Sequence, residues 1–136
     1  MLNKNLKSYF KNIFFHFFIF IFSKGNSKYD NKVDVYSFGI LMYEILFETT
    51  EPYGKEALQQ YGIEFRVSQN PNFRPQIPSD DEILKNIDNN ELILDDYHKL
   101  IMLMKNCWDH EPKKRPDFRE IVNNLTQINE EFAKEL

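Results

Sequence analysis

The sequence predicts an all-α domain, a helical bundle around one central buried helix. Residues 32–47 form a long apolar run without proline, and residues 95–107 and 117–128 repeat apolar side chains at helical intervals. Stretches that contain proline and glycine separate these segments, as expected for helices joined by turns. With 136 residues, the chain has room for one domain at most.

The central helix is predicted from residues 32–47, which read KVDVYSFGILMYEILF. The run is too long for a strand, because strands rarely exceed about ten residues. Its apolar residues cover every face of a helix, so we expect this helix to be buried all round. Asp34, Ser37 and Glu44 interrupt the apolar pattern, and Gly39 lowers helix propensity without a local benefit.

The composition argues against several classes of function. The net charge of −4 disfavours nucleic acid as a partner, because nucleic acid requires a basic surface. A single cysteine, Cys107, excludes an internal disulfide and fits a reducing, cytoplasmic compartment. The histidines at positions 16, 98 and 110 have no metal-ligand spacing, so we predict no metal site.

Residues 1–27 form an apolar and basic N-terminal segment that differs from the rest of the chain. Residues 9–22 read YFKNIFFHFFIFIF and hold seven of the 13 phenylalanines. A spanning helix needs about 20 apolar residues, so membrane association through residues 9–22 is an alternative and not the expectation. A secretory signal is a second alternative, but residues 20–23 make a poor cleavage site.

A third interpretation of this segment concerns its coding sequence. All of residues 1–22 except Met1, Ser8 and His16 can be encoded by codons of A and T alone, against nine of the 22 residues at 33–54. A composition that follows nucleotide bias indicates translated non-coding sequence, such as an unspliced intron. The remaining interpretation is an apolar segment that packs on the rest of the chain.

The middle of the chain is predicted to hold one helix, an extended segment and an acidic loop. Pro52 and Gly54 end the central helix, and a second helix is predicted over residues 55–67. Its apolar face is Ala57, Leu58, Tyr61 and Phe65. Prolines hold residues 70–78 extended. Residues 79–94 are expected to be a solvated loop with one short helical turn.

Two further helices are predicted near the C-terminus. The first is capped by Asp95 or Asp96 and runs to about Cys107, with an apolar side of Leu100, Ile101, Leu103, Met104 and Cys107. The second follows Pro116, with Asp117 and Glu120 at capping-box spacing. Residues 129–136 are predicted to form a charged tail.

Three segments, in order, resemble the C-terminal lobe of a protein kinase domain of the tyrosine-kinase or tyrosine-kinase-like type. Residues 29–40 read YDNKVDVYSFGI and resemble the start of the large central helix of that lobe. Residues 73–78 read FRPQIP and are similar to its R-P-x-I-P segment. Residues 107–118 read CWDHEPKKRPDF and resemble its C-W-x-x-x-P-x-x-R-P-x-F signature. The resemblance covers residues 28–128.

The resemblance implies structural roles for three residues. Asp34 would accept backbone N–H groups of the catalytic loop at the start of the central helix. Arg115 would be the buried arginine that pairs with the glutamate of A-P-E, and Trp108 would be a core anchor beside it. Val33 stands where the family has Ser or Thr, so a helix cap is lost and Asn31 replaces it imperfectly.

The 136 residues contain no glycine-rich phosphate loop, no V-A-I-K lysine, no H-R-D-x-x-x-x-N loop, no D-F-G and no A-P-E. We therefore expect a truncated kinase domain without catalytic, cofactor-binding or metal-binding residues, in which ATP and Mg²⁺ belong to the family only. One alternative is a non-catalytic, pseudokinase-like module that binds a protein partner on its exposed central helix. The other is a membrane-associated helical protein.

Overall fold

The computed structural model describes residues 31–55 and 62–134. The predictions for residues 1–27, including the membrane and signal interpretations of residues 9–22, lie outside these ranges. The elements are, in chain order, α1 (Lys32–Leu46), α2 (Gly62–Gln69), α3 (Asp80–Asn86), α4 (Glu91–Cys107), a short 3-10 helix (Pro112–Lys114) and α5 (Phe118–Lys134). Every regular element in the described ranges is helical, and the all-α fold class is confirmed.

The core forms where α4 packs between α1 and α5, with α3 against one side of α4. The predicted apolar side of α4 is buried, and Leu100, Met104 and Cys107 are fully inaccessible to solvent. Opposite them lie Phe38 from α1 and Leu125 from α5, both also at 0% exposure. The helical period of the α4 and α5 segments therefore identified the core-facing sides of these two helices correctly.

The central helix α1 is buried on one face and not all round. Val35, Phe38 and Met42 are completely buried, and they lie on the side that faces α4. Val33 is 74% exposed, and Ser37, one helical turn later, is also exposed. Burial on every face is therefore not observed, because hydrophobic composition does not show which face a neighbouring helix covers. The exposed surface that we expected on the central helix of a truncated domain is present at Val33.

Gly39 allows α1 and α4 to approach closely. A Cβ atom placed on Gly39 would lie 3.0 Å from the Cβ of Cys107 and 3.1 Å from the carbonyl oxygen of Met104. Both atoms belong to or adjoin the α4 backbone, so they cannot move aside cheaply. The sequence showed only the lower helix propensity of this glycine; its benefit is the tertiary contact.

Residues 79–94 are more regular than the predicted loop. Ser79 and Glu82 form a capping box in which the Ser79 hydroxyl accepts from the Glu82 N–H, and the Glu82 carboxylate accepts from the Ser79 N–H. The helix α3 that follows buries Ile83 and Ile87. The predicted helical turn is present and most of these residues are exposed, but the turn is extended to a helix of seven residues because the capping box stabilises its start.

The start of α4 also differs from the prediction. Asn90 caps the helix, since its side chain accepts hydrogen bonds from the N–H groups of Leu92 and Ile93. Asp96, one of the two predicted caps, lies within the helix and is completely buried. It is 3.5 Å from the ammonium group of Lys99. The helix therefore begins at Glu91, about one and a half turns earlier than predicted.

The second and last helices differ from the prediction at their ends. Of the predicted second helix, residues 56–61 lie outside the described ranges, and Phe65 on its proposed apolar face is 52% exposed. The capping box of Asp117 and Glu120 is present. The helix α5 continues through Lys134, and Phe132 is only 5% exposed, so the proposed tail begins as part of the packed helix.

Replacing Gly39 by alanine is expected to destabilise the chain. Alanine improves helix propensity by about 1 kcal/mol, but overpacking in a close helix contact costs about 1–3 kcal/mol. We expect a net loss of about 1 kcal/mol in the free energy of urea unfolding, followed by circular dichroism. Ser37→Ala, on the exposed face of the same helix, should leave stability unchanged or raise it. Equal or higher stability of Gly39→Ala would show that the contact is loose.

Candidate functional site

Two arginines converge on one tyrosine in the second turn of α1. The guanidinium carbon of Arg74 lies 5.2 Å from the ring centroid of Tyr36, and that of Arg115 lies 5.0 Å from it. Both distances are within the range of cation–π attraction. We call Tyr36, Arg74 and Arg115 the arginine–tyrosine cluster. It brings together the three sequence segments that resemble kinase motifs.

Both arginines of the cluster immediately precede a proline. These dipeptides are Arg74-Pro75 and Arg115-Pro116. A following proline disfavours helical backbone, so both arginines are expected to lie in extended segments. Arg115 has φ −69° and ψ 139°, in the extended region. The local sequence thus keeps each arginine out of a helix and lets its long side chain reach across to α1.

Arg115 and Lys32 exchange hydrogen bonds across 83 residues of sequence. The Nη1 group of Arg115 donates to the Lys32 carbonyl at 2.7 Å, and the ammonium group of Lys32 donates to the Arg115 carbonyl at 2.6 Å. The Nε group of Arg115 also donates to the Asp109 carbonyl at 2.7 Å. This half-buried guanidinium therefore ties the first turn of α1 to the loop after α4.

Arg74 connects the extended segment to the end of α4. Its Nε group donates to the Trp108 carbonyl at 3.0 Å, and its Nη1 group donates to the Phe73 carbonyl at 2.9 Å. Trp108 is 5% exposed, and its ring centroid lies 6.2 Å from that of Tyr43. The Tyr43 hydroxyl donates to the Gln76 carbonyl at 2.6 Å. The extended segment is thus attached to the end of α4 through Arg74 and to α1 through the hydrogen bond between Tyr43 and Gln76.

A second tyrosine extends the cluster towards the turn after α1. The hydroxyl oxygens of Tyr36 and Tyr53 lie 3.0 Å apart, and the Tyr53 ring stacks on Phe73 with centroids 5.2 Å apart. Burial raises the pKa of Tyr53 well above its usual value, and the hydrogen bond with Tyr36 adds to this increase. Burial also raises the pKa of Tyr43.

The three predicted anchors lie in the first turn of α1, at the end of α4 and in the loop between α4 and α5. Asp34 is half-buried in the first turn of α1, Trp108 ends α4, and Arg115 belongs to the cluster. Asn31 occupies the N-cap position of α1, but its side chain makes no capping hydrogen bond. Asn31 therefore does not provide a side-chain cap for this helix. The family roles of the three anchors stay predictions.

The chemistry of this site is that of cations, aromatic rings and backbone carbonyls. Such groups connect segments of the chain through charge-assisted hydrogen bonds and contacts between cations and rings. In the part of the chain that the structure describes, no group of three or more His, Cys, Asp and Glu side chains is arranged to hold a metal ion. The helices of the described ranges include none that is long and apolar enough to cross a bilayer.

Sequence reasoning missed two members of the cluster, Tyr36 and Arg74. The repeated Arg-Pro dipeptide was a signal that could have identified Arg74 as the counterpart of Arg115. Nothing local distinguishes Tyr36 from the other aromatic residues of α1. Its role arises from its contacts with Arg74 and Arg115, which lie 38 and 79 positions later in the sequence.

Comparison with known proteins identifies relatives that share most of this region. The profile of the protein tyrosine and serine/threonine kinase family matches residues 23–125. A probable LIM domain-containing serine/threonine-protein kinase of Dictyostelium discoideum is 39% identical over 110 residues, which are 81% of this chain and 9% of that protein. The dual specificity protein kinase shkD of the same organism is 37% identical over 100 residues, 74% of this chain and 11% of that protein.

A third relative carries a name from another class of enzyme. Guanylyl cyclase C of Cavia porcellus is 37% identical over 97 residues, which are 71% of this chain and 8% of that protein. The chain thus spans about a tenth of the length of the curated relatives it matches. No solved structure matches it significantly.

Truncating Arg115 is expected to destabilise the fold strongly. Arg115→Ala removes a charged donor from the Lys32 and Asp109 carbonyls and a cation from the Tyr36 ring. Hydrogen bonds to charged groups contribute about 1.5–3 kcal/mol each, and partial solvent exposure lowers this, so we expect a loss of about 2–3 kcal/mol in unfolding free energy.

The neighbouring residue Lys114 provides the matched control for Arg115. Lys114 is exposed and forms an exposed ion pair with Glu111 at 2.8 Å. Such pairs contribute about 0–1 kcal/mol, so Lys114→Ala should change stability by less than about 0.5 kcal/mol. A similar effect of both substitutions would contradict the structural role of Arg115.

Stability should fall at high pH, partly through Tyr53. In the unfolded chain this phenol ionises near pH 10, whereas the raised pKa keeps it protonated in the folded chain. Its contribution is complete below about pH 10 and is lost as pH rises further, because the unfolded state then releases a proton that the folded state retains. Tyr53→Phe should make the fall in the urea midpoint between about pH 9 and 11 shallower; an unchanged slope would contradict this.

Proposed function

Because the chain belongs to the protein tyrosine and serine/threonine kinase family, we propose that it supplies the helical scaffold of a kinase C-terminal lobe and does not itself transfer phosphate. The observation that supports this most directly is the convergence of three family segments on the arginine–tyrosine cluster. Its hydrogen bonds and ring contacts connect helices and loops. The cluster therefore serves architecture and not a reacting group.

Phosphoryl transfer requires groups of a different kind. Its transition state needs positioned phosphates, Mg²⁺ held by carboxylate or amide oxygens, and a residue that orients the attacking hydroxyl. The 136 residues contain none of the motifs that supply these groups in the family. For this chain we therefore assign ATP and Mg²⁺ to the parent domain, whose activity is phosphorylation of protein serine, threonine or tyrosine.

A second candidate function is a non-catalytic interaction module. The similarity to guanylyl cyclase C supports it, because a similar segment occurs within a protein that is named for a different reaction. Exposed apolar side chains also favour it: Val33 on α1 is 74% exposed and Phe65 on α2 is 52% exposed. In this alternative the uncovered side of α1 contacts a protein partner.

The localisation that we propose for both candidates is cytoplasmic, and cell fractionation tests it.

The two candidates differ in what the surrounding gene should encode. If the chain belongs to a catalytic parent, the genomic sequence upstream should encode H-R-D and D-F-G motifs. A non-catalytic module does not require them. Sequencing the transcript tests this point and the interpretation of residues 1–22 together, because a splice junction near codon 28 would identify the N-terminal segment as non-coding.

A phosphotransfer assay tests the main proposal. The purified chain, with radiolabelled ATP, Mg²⁺ and a mixed protein substrate, should incorporate no phosphate above a protein-free reaction. Asp34→Asn should give the same result, because we assign Asp34 a structural role only. Phosphate incorporation by the chain that Asp34→Asn abolishes would contradict the proposal, since a contaminating kinase would not respond to that substitution.

A further inference from the structure

A cleft of about 540 Å³ lies beside the arginine–tyrosine cluster, between α1, the turn after it and the extended segment before α3. Three aromatic rings and three prolines line it, and the carboxylates of Glu51 and Glu82 also line it. We propose that this cleft binds an arginine side chain of a basic peptide segment on a partner protein. The proposal does not depend on the absence of phosphate transfer.

The Glu82 carboxylate is held in place by hydrogen bonds from the N-cap of α3. Its Oε2 atom accepts from the Ser79 N–H at 2.8 Å and from the Ser79 hydroxyl at 3.1 Å. These bonds lower the pKa of Glu82, so the group is charged at neutral pH. A carboxylate has about four acceptor positions, and two remain for a ligand. The cleft therefore offers a charged acceptor whose position is already fixed.

Glu51 is presented by an ordered turn. Its backbone N–H donates to the Thr49 hydroxyl at 3.1 Å, and its carbonyl accepts from the Gly54 N–H at 2.9 Å. The side chain itself is exposed. Because the backbone is already ordered, binding at this carboxylate loses less conformational entropy than binding at a mobile loop.

The aromatic lining suits a guanidinium group better than an ammonium group. Tyr53 and Phe73 stack with an interplanar angle of 26° and form one wall of the cleft. One of these two rings already contacts a guanidinium of this chain, since the Cζ atom of Arg66 lies 5.8 Å from the Phe73 centroid. Arginine is planar, weakly hydrated and able to bind carboxylates with two donors, so it fits rings beside acids.

The charge balance of the site and of the chain favours a basic ligand. Arg74 also lines the cleft, but its Nε and Nη1 groups donate to the carbonyls of Trp108 and Phe73. Arg66, whose guanidinium lies over the Phe73 ring, does not line the cleft. Among the lining residues, two acidic residues therefore accompany one cation that is already engaged. Residues 33–136 carry 20 acidic and 11 basic residues, so the surrounding field also attracts a basic segment.

Fluorescence polarisation with the full 136-residue chain tests the proposal. The probe is a fluorescein-labelled peptide of sequence ALRALRA, and the matched peptide carries citrulline, which has the shape of arginine without its charge. We expect the citrulline peptide to bind about tenfold more weakly, as loss of a charge-assisted pair predicts. Added salt should weaken the arginine peptide selectively, because the carboxylates are exposed.

Single substitutions locate the site. Glu51→Gln and Glu82→Gln should each weaken the arginine peptide about fivefold, and glutamine at position 82 can retain the capping box. Glu91→Gln provides the matched control, because Glu91 is an exposed acid in the first turn of α4 that does not line the cleft. Thermal unfolding of each variant confirms that a loss of binding reflects the cleft and not the fold.

Several results would overturn the proposal. One is the absence of binding at millimolar peptide, and another is equal affinity for the arginine and citrulline peptides. A third is an effect of Glu91→Gln as large as those of Glu51→Gln and Glu82→Gln.

If replacing Lys4, Lys7 and Lys11 by glutamine raises peptide affinity, the basic N-terminal segment of the chain itself is the occupant. A dimer that Glu51→Gln dissociates would identify a second copy.

Discussion

The contact between Arg115 and the first turns of α1 holds the described part of the molecule together. Arg115 donates to the Lys32 carbonyl and lies over the Tyr36 ring, while Lys32 donates back to the Arg115 carbonyl. These interactions join residues that are 83 positions apart. Closing so long a loop costs conformational entropy, which these contacts and the packing of α1 on α4 offset together.

The packing of α1 on α4 depends on the same arrangement. With its first turn fixed by Arg115, α1 directs Phe38 and Met42 into the core and brings Gly39 against the α4 backbone. Arg74 then fixes the extended segment to the same turns through the Tyr36 ring and the Trp108 carbonyl. The cleft beside the cluster is a consequence, because the segment that Arg74 holds forms one of its walls.

The sequence predicted the parts of this fold that depend on local periodicity. The core sides of α4 and α5 followed from apolar residues at helical spacing, and the capping box before α5 followed from Asp117 and Glu120. The segment at 79–94 was judged by its acidic composition, although Ser79 and Glu82 have capping-box spacing in the sequence. Composition describes solvent preference, whereas the capping pair decides whether a helix begins.

The candidate site could be predicted only in part. The family segments indicated that Trp108 and Arg115 belong together, but the convergence on Tyr36 is a tertiary property with no local signal. The benefit of Gly39 also has no local signal, because it is the close approach of α1 to Met104 and Cys107 on α4. Comparison with relatives establishes the family. The contacts of the arginine–tyrosine cluster are what join the three family segments in the fold.

The central claim is that Arg115 stabilises the fold through Tyr36, and a double-mutant cycle measures it directly. Unfolding free energies are compared for Tyr36→Leu, Arg115→Ala and the double variant, with Tyr36→Phe to retain the ring. We predict a coupling energy of about 1 kcal/mol with Tyr36→Leu, and a much smaller one with Tyr36→Phe. Additivity within about 0.3 kcal/mol for Tyr36→Leu would contradict the account.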